Sequence, residues 1–119
     1  STIAEMVKYM TNTFLATKVS FANEMYQICS KVGIDYDKVT EYATLDERLG
    51  KSHWAVPGPD GKLGFGGSCF PKDVNALIEF SQTKLDLWPS TLIGAWDTNL
   101  SVRPEQDWEE LKGRAVVDE

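Results

Sequence analysis

Apolar residues recur at intervals of three and four along the first 32 residues: Ile3, Met6, Val7, Met10, Phe14, Ala22, Met25, Cys29 and Val32. That spacing predicts one helical stripe. Leu15, Val19, Phe21 and Ile28 widen it, so more than one partner surface is expected on this helix. No Gly or Pro interrupts residues 1–32, and Gly33 supplies a C′ stop. At about 1.5 Å per residue the helix spans roughly 45 Å, longer than a domain of this size is wide. It needs company, from other parts of the protein or from a second copy, and a homodimer is the natural expectation.

The pattern then shortens. Asp35 is an N-cap candidate for a second helix through about Ala43, with Val39 and Tyr42 expected to face inward. Asp46 caps one further turn over Glu47, Arg48 and Leu49, stopped by Gly50. Between Gly50 and Pro71 lie six of the nine glycines and three of the five prolines, so this stretch reads as a long loop. It carries Trp54, Val56, Leu63 and Phe65. A loop of that length with an apolar content is usually functional, and mobility is expected for its glycine run. Pro71 fits the first position of a third helix to about Lys84, its apolar side Val74, Leu77, Ile78 and Phe80. Pro89 opens a fourth with Leu92, Ile93, Trp96 and Leu100, and Pro104 a short fifth through Leu111, closed by Gly113. No stretch keeps a period-two strand pattern. The expected fold is all-α, a long central helix with several shorter ones and a Gly/Pro-rich loop, in one domain over residues 1–112. Residues 113–119 form a tail or the start of a following domain.

Composition narrows the function. With 119 residues, a net charge of −6 and 42% hydrophobic residues, the chain is an ordinary globular domain. Its acidic balance argues against a nucleic-acid or membrane-surface partner. No apolar run reaches the roughly 18 residues of a membrane span. The start at Ser1-Thr2, without Met, reads as an excised or processed piece. Cys29, Cys69 and His53 are too few to close a structural zinc site, and no metal is expected. Two cysteines permit one disulfide but make no framework, and a reducing, cytoplasmic setting is favoured.

The sharpest chemical signal is Gly64-Phe65-Gly66-Gly67-Ser68-Cys69-Phe70-Pro71-Lys72-Asp73. Glycines permit close backbone approach to a ligand. Cys69 is expected just ahead of a helix N-terminus, whose field favours thiolate, with Lys72 adding to it. Asp73 follows four residues later, where it holds a water or orients a neighbour. Lys8 and Asn12 stand four apart on one face of the long helix, a cation and an amide suited to an oxyanion or a sugar hydroxyl. Against each stands a plainer alternative: a small buried thiol for Cys69, a solvated helix face for Lys8 and Asn12. Cys29 reads as an inert core thiol. A hydrolase dyad of Cys69 with His53 has no specific support from spacing.

Ala4-Glu5-Met6-Val7-Lys8-Tyr9-Met10-Thr11-Asn12, then Phe14-Leu15-Ala16 and Ser20-Phe21-Ala22-Asn23-Glu24, resembles the central-domain helix of UDP-glucose/GDP-mannose dehydrogenases. Pro57-Gly58-Pro59-Asp60-Gly61 with the Gly64–Asp73 run is similar to the active-site segment of that family, bacterial UDP-glucose 6-dehydrogenases above all. The similarity covers residues 4–100 or so. It implies a fold like the C-terminal domain of phosphogluconate dehydrogenase, and oxidation of a sugar nucleotide's C6 alcohol to a carboxylate with two NAD+. It implies Cys69 as nucleophile, through a thiohemiacetal and a thioester, with Lys8 and Asn12 steadying the oxyanion and Asp73 assisting proton transfer with water. Gly61, Lys62, Leu63, Gly64, Phe65, Gly66 and Gly67 would close over the sugar. Arg48, in Asp46-Glu47-Arg48-Leu49-Gly50, would reach a neighbouring subunit's substrate.

Members of this family carry an NAD-binding domain before this region and a second, nucleotide-binding Rossmann domain after it. Neither is expected here, since no Gly-x-Gly-x-x-Gly follows a strand. The family's catalytic Glu and Thr from the N-terminal domain are missing too. Lys72 is the one candidate for a cofactor contact, and the chain alone is expected to be inactive. UDP-glucose leads as substrate, with GDP-mannose and UDP-N-acetylhexosamines open. The alternative is a stand-alone, non-catalytic dimeric interaction module of the same fold.

Overall fold

The computed structural model describes residues 2–103. The chain folds into α1 (Thr2–Val32), α2 (Tyr36–Ala43), a 3-10 turn (Glu47–Leu49), α3 (Cys69–Lys84) and α4 (Ser90–Val102), with no strand among the described residues. The all-α expectation holds. The expected fifth helix at Pro104–Leu111 and the tail lie outside the described residues.

The ends of the early elements follow from local chemistry. Gly33 and Ile34 both donate to Cys29 O, at 2.8 and 2.9 Å, closing α1 in a Schellman arrangement. Asp35 accepts from Asp37 N at 3.0 Å and caps α2; Asp46 does the same for Arg48 N at 3.0 Å. The start of α3 differs from the expected one. It begins at Cys69, so Pro71 is its third residue rather than its first. The first i→i−4 bond runs from Lys72 N to Ser68 O at 3.1 Å, and a proline before it deprives the helix of nothing.

Helices α3 and α4 both pack on α1. The face of α1 that receives them is small and polar: Thr13, Ala16, Ser20, Ala22 and Asn23 are buried. Small side chains let the neighbours come close enough for Ser20 Oγ to donate to Ala95 O of α4 at 2.7 Å. Two modest apolar clusters result. One joins Ala22, Cys29, Tyr36 and Val56; the other joins Ala16, Phe65 and Val74, with Phe70, Ile78 and Trp96 around it.

The stripe at the start of α1 takes no part in either cluster. Ile3, Met10 and Phe14 are 79%, 71% and 63% exposed, with Met6 and Val7 beside them. Three inward expectations are also reversed: Val39, Tyr42 and Phe80 are exposed, and Tyr36 is the buried residue of α2. Periodicity identifies an amphipathic face without saying what covers it.

The loop between the 3-10 turn and α3 is fastened at several points ahead of its glycine run. Gly58 N donates to Lys62 O at 2.9 Å, Trp54 Nε1 to Gly50 O at 2.9 Å, and Tyr36 Oη to Trp54 O at 2.6 Å. Lys18 of α1 is buried and reaches Leu49 O at 2.9 Å beneath the Trp54 ring.

Candidate active site at the start of helix α3

Cys69 is exposed and opens the first turn of α3, inside the helix rather than ahead of it. The Cys69 and Phe70 N–H groups precede the first intrahelical bond, so they present partial positive charge around the thiol. Asp73 follows one turn later on the same helical face. Unlike Cys69 it points into the protein, with a side chain 1% exposed.

Two residues from α1 meet it there. Asn12 Nδ2 donates to Asp73 Oδ2 at 2.7 Å, and Lys8 Nζ lies 3.9 Å from Oδ1. Oδ1 itself accepts no hydrogen bond among the described residues. A buried carboxylate oxygen without a donor is unfavourable by about 1–3 kcal/mol, an arrangement found where a group is kept for use. Asn12 keeps a second N–H, and the Lys8 ammonium stays half exposed on a flexible stem. The structure therefore brings Lys8, Asn12 and Asp73 together from positions 61 to 65 residues apart, beside the turn that carries Cys69. Lys72 is half-buried in that turn.

The other candidates are placed differently. Arg48 projects from the 3-10 turn with a side chain 88% exposed. Its guanidinium grips Asp46 through Nε and Nη2, which holds that carboxyl below its usual range. Gly61 and Lys62 lie in the exposed turn of the loop, where Lys62 N donates to Asp60 Oδ1 at 3.0 Å. Leu63 packs against the first apolar cluster. Gly64 and Phe65 are buried, the Phe65 ring against Phe70 and Trp96. Gly66 and Gly67 are half-buried just before Cys69. His53 uses Nδ1 on Ser52 Oγ and lays its ring beside Phe70, with no hydrogen bond to Cys69. Both cysteines are free.

Three residues at this site escape a reading by hydropathy. Asn23 Oδ1 accepts from Gly64 N at 3.1 Å. Asn99 accepts from Phe65 N at 2.7 Å and donates to Phe65 O at 2.9 Å. Arg103, buried, donates to Leu63 O at 3.1 Å and to Asp60 Oδ2 at 2.6 Å, holding that carboxyl below its usual range. A buried Asn and a solvated Asn look the same in a sequence. The only local hint is that Asn12 and Asn23 are eleven residues apart, close to three full turns, and so share a face of α1.

The loop does not fit a dinucleotide cofactor. A dinucleotide cradle needs free backbone N–H groups at a strand–turn–helix junction. Here the Gly64 and Phe65 N–H groups are taken by Asn23 and Asn99, and no strand precedes them among the described residues. Nor is any helix among those residues long and apolar enough to cross a membrane.

The chain is similar to known proteins over most of its length. UDP-glucose 6-dehydrogenase YwqF of Bacillus subtilis is 50% identical over 78 residues, 66% of this chain and 17% of that protein. UDP-glucose 6-dehydrogenase AglM of Haloferax volcanii is 39% identical over 115 residues, 97% of this chain and 25% of that protein. The solved structure of a UDP-glucose dehydrogenase from Pyrobaculum islandicum superposes with a TM-score of 0.74 at 41% identity, covering 82% of this chain and 21% of that one. The chain thus spans a quarter or less of the length of these relatives. The model of the UDP-glucose/GDP-mannose dehydrogenase family, central domain, matches residues 2–99. By sequence and by fold, the chain belongs to the UDP-glucose/GDP-mannose dehydrogenase family, as its central domain.

Proposed function

We propose that this chain is the nucleophile-bearing, dimerising part of a UDP-sugar dehydrogenase that converts the C6 alcohol of UDP-glucose to the carboxylate of UDP-glucuronate. The observation that carries this reading is the exposed Cys69 in the first turn of α3, one turn from a buried Asp73 that Asn12 and Lys8 engage from α1. The names of the relatives support UDP-glucose as the substrate over GDP-mannose or a UDP-N-acetylhexosamine.

Each residue has a defined task at the aldehyde stage. The Cys69 sulfur adds to the C6 carbonyl; a C–S bond forms and the carbonyl π pair moves to oxygen. Lys8 and the second Asn12 N–H stabilise the oxyanion of this thiohemiacetal, charge that exists only during reaction. After oxidation to the thioester, water attacks the acyl carbon. Asp73 Oδ1 takes the water's proton, and the thiol departs. The oxidations need a hydride acceptor, NAD+ by family resemblance. The described residues do not fit that group, and no oxidation step is assigned to them. Gly66 and Gly67, with Gly61 and Lys62, are the loop positions open to the sugar; Gly64, Phe65 and Leu63 support them from inside. Arg48, held out by Asp46, is assigned to a neighbouring subunit's substrate. The uncovered face of α1 through Ile3, Met10 and Phe14 is assigned to a twofold mate. A nucleophilic thiol must stay reduced, in keeping with a cytoplasmic setting.

The test is made in the enzyme that carries this chain, with UDP-glucose and NAD+. Cys69→Ser is expected to abolish turnover to UDP-glucuronate while the helical circular-dichroism signal stays unchanged. Uronate formation within tenfold of the parent rate would end the thioester reading.

A further inference from the structure

We infer that Asn99 and Asn23 are positioning residues of the reaction: their buried carboxamides clamp the backbone at Gly64 and Phe65 and so fix where Cys69 stands relative to Lys8, Asn12 and Asp73. The inference rests on the reading of Cys69 as the nucleophile and adds to it residues that touch no substrate.

The geometry is that of a strand bridge made by side chains. The Asn99 amide exchanges both hydrogen bonds with Phe65, N–H to Oδ1 at 2.7 Å and Nδ2 to O at 2.9 Å. Asn23 takes the adjacent N–H of Gly64 at 3.1 Å and ties its own Nδ2 to Val19 O at 2.9 Å. Both asparagines are fully buried, Asn99 at 0% and Asn23 at 2% exposure. A primary amide offers a donor and an acceptor in one plane, matching a peptide unit, and the short Asn stem keeps that pairing rigid. The approach is so close that a Cβ at position 64 would collide with Asn99 Oδ1 and come within 3.1 Å of Val102 Cγ2. Gly64 is glycine to admit Asn99 rather than to admit a ligand.

The clamp connects directly to the chemistry. The clamped Phe65 packs its ring against Phe70, which neighbours Cys69, and shares a cluster with Val74, which neighbours Asp73. Movement at Phe65 therefore reaches the first turn of α3 through packed rings. Asn23 stands on the same face of α1 as Asn12, so one rod holds both the loop and the Asp73 partner. Pre-organisation of this kind matters because a reacting atom displaced by about 1 Å forfeits a large part of the rate.

The test is Asn99→Asp, which keeps shape but turns the donor facing Phe65 O into an acceptor. Site-resolved amide exchange and the Cys69 resonances are followed in the chain. In the enzyme that carries it, kcat and KM for UDP-glucose are measured per alkylatable Cys69. The new carboxylate faces Phe65 O oxygen to oxygen and is repelled from it, and its withdrawal takes the Oδ1 acceptor from Phe65 N–H as well, so Phe65 amide exchange is expected to rise about tenfold. The Cys69 Cβ resonance moves while that of buried Cys29 does not, and kcat falls by more than KM rises. Unchanged exchange at Phe65 overturns the clamp. Faster exchange with unmoved Cys69 resonances and unchanged kcat overturns the positioning role and leaves the asparagines as fold residues. If Asn99→Asp loses its helical signal, Asn23→Ser, which removes the Gly64 acceptor together with the bond within α1 to Val19 O, is put through the same measurements. Faster Gly64 exchange with a moved Cys69 resonance then supports the clamp, and unchanged exchange overturns it. A parent enzyme that makes no uronate refutes the dehydrogenase reading alone; exchange and resonances still decide the clamp.

Discussion

Replacing Gly64 by Ala tests how closely Asn99 approaches the loop backbone. Gly64 has φ +70° and is buried beneath Asn99. An L-residue in that region loses about 1–2 kcal/mol to its own Cβ–carbonyl contact. The added methyl also evicts the Asn99 carboxamide, stranding Phe65 N–H and C=O in a dry site, which costs about 1–3 kcal/mol more. The expected destabilisation is about 2–5 kcal/mol, a large share of the roughly 5–15 kcal/mol that holds a domain together. Urea unfolding followed by far-ultraviolet circular dichroism measures it as a lower midpoint at constant slope. Gly61→Ala is the control, with φ +78° but nothing within 4 Å of the new methyl, so only the backbone contribution remains. Adding Asn99→Ala to Gly64→Ala removes the collision, and the two changes together are expected to sum to less than their separate effects. A Gly64→Ala loss below about 1 kcal/mol, or no larger than the Gly61→Ala control, would refute the close approach of Asn99 to the loop backbone.

Two further outcomes follow from other parts of the molecule. Burial, with Cys29 and Asp37 nearby, pushes the Tyr36 hydroxyl up to about 12. Its contribution is fully present below pH 10 and is lost as pH rises from 10 to 12, by up to about 3 kcal/mol, because the unfolded tyrosine ionises first. Tyr36→Phe should flatten that decline in a pH series of urea midpoints; an unchanged slope would assign the alkaline loss to other groups. On the exposed face of α1, Met10→Asp is expected to convert a dimer to a monomer in light scattering with helix content intact. A parent chain that is already monomeric at micromolar concentration would count against the twofold assignment.

What could be read from the sequence was mostly local. Asp35 and Asp46 cap their turns as expected, and α1 ends at Gly33, because caps and stops depend on a few adjacent residues. Lys8 with Asn12, and Cys69 with Asp73, were legible as i,i+4 pairs. Their meeting was not, since Asn12 and Asp73 are joined only by the packing of α3 on α1. Tyr36 took the buried place expected for Val39 and Tyr42: it packs with Ala22, Cys29 and Val56, and its hydroxyl donates to Trp54 O. Asn23, Asn99 and Arg103 were invisible for a different reason. Hydropathy scores each as a solvated position, and only the folded loop shows that each satisfies a buried backbone group.

The uninterrupted course of α1 has a consequence for how this segment can change. Asn12 and Asn23 engage the acid and the loop from one face because a near-integral number of turns separates them. A single residue gained or lost between positions 13 and 22 would turn Asn23 by about 100° relative to Asn12 and slide it by about 1.5 Å. It would then face away from Gly64. Individual side chains along that stretch can be exchanged, but its length cannot, and α1 serves as the gauge that keeps the acid and the thiol in step.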